Sequence, residues 1–393
     1  MKIGFDVSQT GSIRTGCGFY ADSLAKNLIA QYQNDVFYLY KTFGTTYWDP
    51  GYRKNIAVME FENCKYPLTF KSKEDSFAFW GNSCGVDESL AGCPDIIHAN
   101  NFSCPRLSQA RLVYTVYDLS FIDLPECTTE ENRHLCFNGM LSASVWADVV
   151  VAISHYSKKR FLENFPHFPE ERVVVAHLGN RLSADGVEEP VPFLATRKPF
   201  FLSVGTLEPR KNLRRLLAAY KRYAEQQSLP KPLVLAGGNG WLEDDLAIYI
   251  ADLKLQNQVH ILGYVSDAKL RWLYRHCWAF VYPSLYEGFG LPVLEAMGFG
   301  AAVVTSNTTS LPEVGGDAVL YLNPTSEESI SDALAKIDEP SRRSAYQAKS
   351  LQQARSFSWA SSAAAVYAAY EQALQMPSHR RPLLGGEGIY SCQ

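Results

Sequence analysis

Glu287 and Glu295 bracket seven residues in "YEGFGLPVLEAMGFG", the stretch from Tyr286 to Gly300. Pro292 suits the first turn of a helix, where its missing N–H costs nothing. "PVLEAMGFG" then reads as that helix, and "EGFG" as the loop feeding it from the strand "AFVYPS". Glycines in such a loop let backbone amides approach a ligand, and the helix start adds about half a positive charge. The combination predicts an anion site matched to phosphate. Glu287 precedes the helix and Glu295 lies one turn inside it, too far apart to share a proton. Two separate hydroxyl-bearing groups flanking a phosphate would use them better. For a lone glycine loop, a helix start with a solvated glutamate is the commoner meaning.

A second segment adds weight. "VGTLEPRKN" follows the strand "FFLSVG" and puts Arg210 and Lys211 at the mouth of the same sheet. Ligands of open parallel sheets bind beyond the carboxyl ends of the strands, so both segments are expected at one cleft. A basic pair facing an anion-binding helix start is what a diphosphate needs. Alone, such a pair is more often solvated surface.

The elements that must position these residues alternate between short apolar strands and longer helical patterns, the signature of parallel α/β sheets. "KIGFDV", "DIIHAN", "RLVYTVYD", "DVVVAIS" and "RVVVAHLG" read as strands of a first half; "TGCGFYADSLAKNLIAQY" is a glycine turn and an amphipathic helix. From about Phe43 to Cys93 no period emerges. "RLSADGVEEPVPFLATRKP", from Arg181 to Pro199, has three prolines and linker composition. The alternation then restarts with "FFLSVG", "PLVLAGG", "QVHILGYV", "AFVYPS", "AAVVTSN" and "AVLYLNP". The expected domains are 1–190, 197–357, and a final segment 358–393 containing a helix and a loose end after Met376.

A chain of 393 residues with 47% hydrophobic and 20% charged residues fits a soluble globular protein of two or three domains. A formal net charge of -4 offers no basic field for nucleic acid. Nine scattered cysteines without a Cys-x-x-Cys pair predict reduced thiols and no zinc site. No apolar run resembles a signal peptide or a membrane span. The expected location is cytoplasmic, with contact to the inner membrane face left open.

The quoted segments resemble the retaining glycosyltransferases of the large family 4. "EGFGLPVLE" matches that family's glutamate–seven residues–glutamate motif, "VGTLEPRKN" its phosphate segment, and "ILGYVSDAKLRWLYRHCWAFVYPS" the piece between them. The likeness spans nearly the whole chain and implies the GT-B fold, an α/β architecture of two Rossmann-like domains facing each other across a cleft. "TVYDLSFIDLPE" and "VGTLEPRKNL" are most similar to bacterial mannosyltransferases of surface polysaccharide assembly. The last helix, around "SFSWASSAAAVYAAYEQAL", is expected to cross back to the first domain.

The resemblance implies roles residue by residue. Glu295 would hold the ribose hydroxyls of a nucleotide and Glu287 hydroxyls of the donor sugar. Phe289, Gly290 and Leu291 would offer amides to sugar and phosphate, and Arg210 and Lys211 would neutralise the leaving diphosphate. Val265, in the loop Gly263–Asp267, would meet the nucleobase, and Gly16 and Gly18 would line the diphosphate and acceptor. Thr206 stands where many relatives have arginine, and Tyr117-Asp118 where many have His-Asp.

His98, ending the strand "DIIHAN", is a candidate catalytic residue or a structural histidine; Asn100, Asn101, Tyr117 and Asp118 are candidates for acceptor hydroxyls. Ser154 reads as a helix cap, "HYSKKRFLENF" as a solvated helix face, and Glu243-Asp244-Asp245 as an exposed helix start. No Asp-x-Asp triplet occurs, so no metal is expected. The implied activity is transfer of a sugar, mannose from GDP-mannose by preference, to a saccharide or lipid-linked saccharide, without a cofactor. Another UDP-, dTDP- or GDP-sugar, a sugar-nucleotide epimerase or phosphorylase, and a catalytically decayed binding protein remain open alternatives.

Overall fold

A computed structural model describes residues 1–11, 16–45, 61–100, 102–195, 199–238, 240 and 245–377. Asn101, Glu243, Asp244 and the chain from Ser378 lie outside the described residues. The chain forms two compact units. The first comprises Met1–Leu119, Glu131–Gly179 and the chain from Ser358; the second comprises Ser120–Glu130 and Asn180–Phe357.

In the first unit the strands are β1 (Lys2–Asp6), β2 (Val36–Tyr40), β3 (Cys64–Lys65), β4 (Ile96–Ala99), β5 (Arg111–Val116), β6 (Val149–Ala152) and β7 (Val173–Val175). They form one parallel sheet in the order β3-β2-β1-β4-β5-β6-β7. β4 and β6 are buried throughout, as expected of strands covered on both faces. The uninterpreted region contains β3 and the helix Lys73–Trp80. That helix buries only Ser76 and Trp80, so it has no apolar stripe for a periodicity to reveal. Ser154 caps the helix His155–Asn164 by accepting from the Ser157 N–H at 3.0 Å. The helix Trp359–Gln375 packs on the helix Gly16–Gln31 and on β5, β6 and β7.

The second unit carries β8 (Phe201–Val204), β9 (Leu233–Ala236), β10 (Val259–Gly263), β11 (Ala279–Tyr282), β12 (Val303–Ser306) and β13 (Leu320–Leu322). Their order is β10-β9-β8-β11-β12-β13, again all parallel. Helix Leu213–Glu225 buries Leu213, Leu216, Leu217, Tyr220, Tyr223 and Ala224, the i, i+3, i+4, i+7 stripe that fixes it on the sheet. The order reverses between β8 and β11, which makes their carboxyl ends the switch point where ligands bind.

The stretch read as a linker is built largely into the second unit. Arg271 Nε donates to Ser183 O at 3.2 Å and Arg275 to Ala184 O at 2.8 Å, while Glu188 pairs with Arg275 and Glu189 with Lys269. The first unit's run Glu131–Gly179 ends just before this segment, and Asn180–Phe357 groups with the second unit. Loop-like composition did not mean loose attachment, because helix Asp267–His276 supplies donors to the segment's carbonyls and carboxylates. Among the described cysteines Cys93 is disulfide-bonded, against the expectation of reduced thiols, and the others are in no disulfide. No described helix is long and apolar enough to cross a membrane.

Candidate active site

β8 and β11 are neighbours in the sheet although 74 residues of chain separate Val204 from Ala279. Their following loops therefore meet. After β8 the chain makes the short helix Pro209–Lys211 and then Asn212, in the left-handed region at φ 61°. Asn212 Nδ2 donates to Pro283 O at 2.9 Å and to Pro324 O at 2.7 Å, tying this turn to the ends of β11 and β13. Gly237 fits against the same loop because it has no Cβ: one there would stand 1.8 Å from Gly205 O.

Glu287 is 6% exposed and lies at the centre. Its Oε1 accepts from Lys211 Nζ at 2.6 Å, Ser284 Oγ at 2.6 Å and Tyr282 Oη at 2.8 Å; Oε2 accepts from Arg210 at 3.1 Å. Glu208, also buried, holds Arg210 Nε at 2.6 Å and stands 3.9 Å from Lys211 Nζ. Two carboxylates and two cations thus form a formally neutral, desolvated cluster. Burial by itself would raise the Glu287 carboxyl; Lys211 and Arg210 outweigh it and hold the group at about 2. Burial and the neighbouring Arg210 pull the Lys211 ammonium below its usual range, and Glu287 and Glu208 offset part of this. Four donors on two oxygens make the ionised carboxylate the firm member of the pair.

The loop after Glu287 is fixed from behind. Ser310 Oγ donates to Glu287 O at 2.8 Å and to Phe289 O at 2.9 Å; Tyr286 Oη donates to Asp123 Oδ2 at 2.9 Å. Gly290, at φ 108°, is the N-cap of helix Leu291–Gly298, and any Cβ would meet Leu311 at 2.7 Å. First-turn N–H groups have no partner within the helix itself, so the Gly290–Leu291 end is an anion-seeking one.

Glu295 points its two oxygens elsewhere. Oε1 accepts from Arg181 Nε at 2.9 Å and Oε2 from Tyr274 Oη at 3.0 Å. Arg181 also reaches Asp267 Oδ1 at 2.7 Å. Burial alone would lower the Arg181 guanidinium, but Glu295 and Asp267 hold it above its ordinary value. Thr206, after β8, and Val265, after β10, are half-buried. Gly16 is exposed at the first turn of its helix and Gly18 is buried.

Two candidates of the first unit are core residues. His98 has no exposed surface; its Nδ1 meets Tyr370 Oη at 2.7 Å and its Nε2 meets Thr115 Oγ1 at 2.8 Å. Burial pushes its imidazole down to about 3, so it is neutral at physiological pH. Both nitrogens are used and neither reaches solvent, the geometry of the structural histidine that the sequence left as the alternative to a catalytic one. Asn100 is 2% exposed, with Nδ2 donating to Asp6 O at 3.1 Å and Oδ1 accepting from Thr115 at 2.8 Å. The Tyr117 hydroxyl is also committed, to Asn100 O at 2.9 Å, and burial raises its phenol well above the ordinary value. Asp118, half-buried, follows directly.

Glu208, Tyr282 and Ser284 lie inside motifs visible in the sequence yet carry no motif signal of their own. Tyr274 likewise lies inside a quoted segment without a signal of its own, while Arg181 and Ser310 lie outside the motifs.

Residues 188–352 match the family described as Glycosyl transferases group 1. The chain is 36% identical over 273 residues to O-antigen chain mannosyltransferase B of Escherichia coli, covering 67% of this chain and 71% of that one. It is 33% identical over 240 residues to the serotype-specific mannosyltransferase WbdA of Escherichia coli, covering 58% of this chain but only 29% of that longer protein. Among solved structures it is similar to sucrose-phosphate synthase from Thermosynechococcus elongatus, with TM-score 0.72 and 18% identity over 95% of this chain and 98% of that one. The family match and the mannosyltransferase relatives show a glycosyltransferase, a hexosyltransferase, and the two parallel sheets and the structural likeness show its GT-B fold. The chain belongs to the group 1 glycosyl transferase family.

Proposed function

We propose that the chain is a retaining mannosyltransferase that moves mannose from GDP-mannose to a hydroxyl of a saccharide or lipid-linked saccharide in surface polysaccharide assembly. The observation that carries the reading is the buried Glu287–Lys211–Arg210–Glu208 cluster beside the start of helix Leu291–Gly298. The sugar is supported by the 36% identity to an O-antigen mannosyltransferase.

In this reading the diphosphate lies between the Gly290–Leu291 amides and the Arg210 and Lys211 side chains. Glu287 Oε2 has room for one more donor, a hydroxyl of the sugar. Glu295 takes the ribose, Val265 the edge of the base, and Thr206 and Phe289 line the phosphates. The bond from the anomeric carbon to the phosphate oxygen breaks as the acceptor oxygen bonds to the same face. The acceptor's proton passes to the departing phosphate oxygen. Preorganised cations and amides stabilise the charge that grows there.

Incubating the full chain with GDP-mannose and a mannose-terminated saccharide tests this. GDP release should depend on the saccharide, the new linkage should show α coupling by NMR, and excess EDTA should leave the rate unchanged, since Arg210, Lys211 and the helix start supply the positive charge. A β linkage overturns retention; loss of activity in EDTA, restored by a divalent ion, overturns metal independence.

Glu295→Ala should weaken nucleoside diphosphate binding about 10- to 100-fold, since a charge-assisted hydrogen bond contributes roughly 1.5–3 kcal/mol. Calorimetric titration of GDP decides it; an unchanged affinity removes Glu295 from the ribose.

A further inference from the structure

Arg181 belongs to none of the motifs, yet it touches two regions that the proposed function assigns to the nucleoside. Its Nε holds Glu295 Oε1 at 2.9 Å, and a terminal nitrogen holds Asp267 Oδ1 at 2.7 Å. Glu295 is on helix Leu291–Gly298; Asp267 begins helix Asp267–His276, just after the loop that follows β10. One guanidinium therefore spans both sides of the nucleoside subsite. Its planar fork suits this, because donors in fixed directions can serve two carboxylates at once, whereas an ammonium is a point charge.

The backbone carrying Arg181 is itself held. The Asn180 amide lies over Gly298, where a Cβ would stand 2.0 Å from its Nδ2, and its Oδ1 accepts from the Leu182 N–H at 2.9 Å. Arg271 and Arg275 hold Ser183 and Ala184. The Arg181 side chain is 12% exposed and the Glu295 side chain 5%, so the pair is poorly screened by water.

The remaining acceptor capacity of Glu295 has a matching shape. A carboxylate offers about four lone-pair sites. Arg181 takes one on Oε1 and Tyr274 one on Oε2, leaving one on each oxygen. A vicinal diol donates two hydrogen bonds, one to each.

We propose that Arg181 is a positioning residue of the nucleotide site: it fixes Glu295 in the rotamer that accepts a ribose diol, and braces the Asp267 loop against it. The proposal rests on Glu295 being the ribose ligand, and the experiment separates the two ideas. Calorimetry compares the ribo and 2′-deoxy forms of GDP and UDP on wild type, Arg181→Met and Arg181→Lys, with a thermal melt of each variant without nucleotide.

Wild type should prefer the ribo form of whichever nucleotide binds by about tenfold or more, the value of one charge-assisted bond. Arg181→Met should lose that preference by weakening the ribo form and sparing the deoxy form. Arg181→Lys, which keeps the charge but cannot span both carboxylates, should fall between and guards against a methionine variant that unfolds. Undiminished preference in a folded Arg181→Met or in Arg181→Lys overturns the positioning role while leaving Glu295 on the ribose. No preference in wild type, or no binding of any of the four, overturns the ribose assignment and the proposal with it. A purely structural Arg181 would weaken both forms equally.

Discussion

Lys211→Ala should lower the turnover number of sugar transfer by about 10²–10³-fold under saturating donor, with donor KM changing by less than about tenfold. Removing one preorganised donor aimed at developing charge has an effect of this order. Lys211 is placed for it: the residue is 9% exposed and its ammonium is fixed by Glu287 Oε1 at 2.6 Å and the Tyr282 hydroxyl at 2.8 Å. Charge on a departing diphosphate grows as the bond breaks, so the loss belongs to the transition state more than to binding. Breaking a buried pair also destabilises the fold by roughly 3–5 kcal/mol. Rates are therefore to be taken at a temperature where a melt shows the variant folded. A turnover number equal to wild type would make Lys211 a structural ion. Arg210→Ala, more exposed and shared between Glu208 and Glu287, should cost less.

Glu287→Gln should reduce turnover by a similar factor and also change two pH dependences. Glu287 is held at about 2 against an unfolded value near 4.5. A depressed carboxyl stabilises the fold above its unfolded value, and that stability is lost as pH falls through its folded value. Wild type should therefore lose on the order of 3 kcal/mol between about pH 4.5 and 2, and the glutamine variant should lack that component. Urea melts at pH 6 and pH 3 measure the difference. The second effect runs the other way. Lys211 is already pulled down by burial and Arg210, and glutamine removes its main counter-charge. The alkaline limb of the variant's rate profile should begin at lower pH than in wild type, because a neutral lysine cannot stabilise the diphosphate. Superimposable pH–rate profiles would show that Glu287 does not hold Lys211 charged.

The second unit was legible in the sequence because its strands are buried apolar runs: "FLSV", "LVLA", "AFVY" and "VVTS" each fill one strand. The glutamate pair, the glycine cap at Gly290 and the Arg210–Lys211 pair were legible too, as local patterns of backbone geometry and charge. β3, two residues long with Cys64 half-buried and Lys65 exposed, was not. Nor was the fate of His98. It lies in a fully buried strand, and its partner Tyr370 is 272 residues later, on a helix whose return was implied by the family resemblance and not by any local pattern.

By itself, the sequence determined the alternation of strand and helix, the anion-seeking loop and the family. Only the tertiary structure decided which charges are joined. Parallel strands that are neighbours in the sheet need not be neighbours in the chain, so Glu287 meets Lys211 across 76 residues and Glu295 meets Arg181 across 114. Burial then makes those joined charges strong. A charge removed from water needs a partner at hydrogen-bond distance, and only the assembled sheet supplies it.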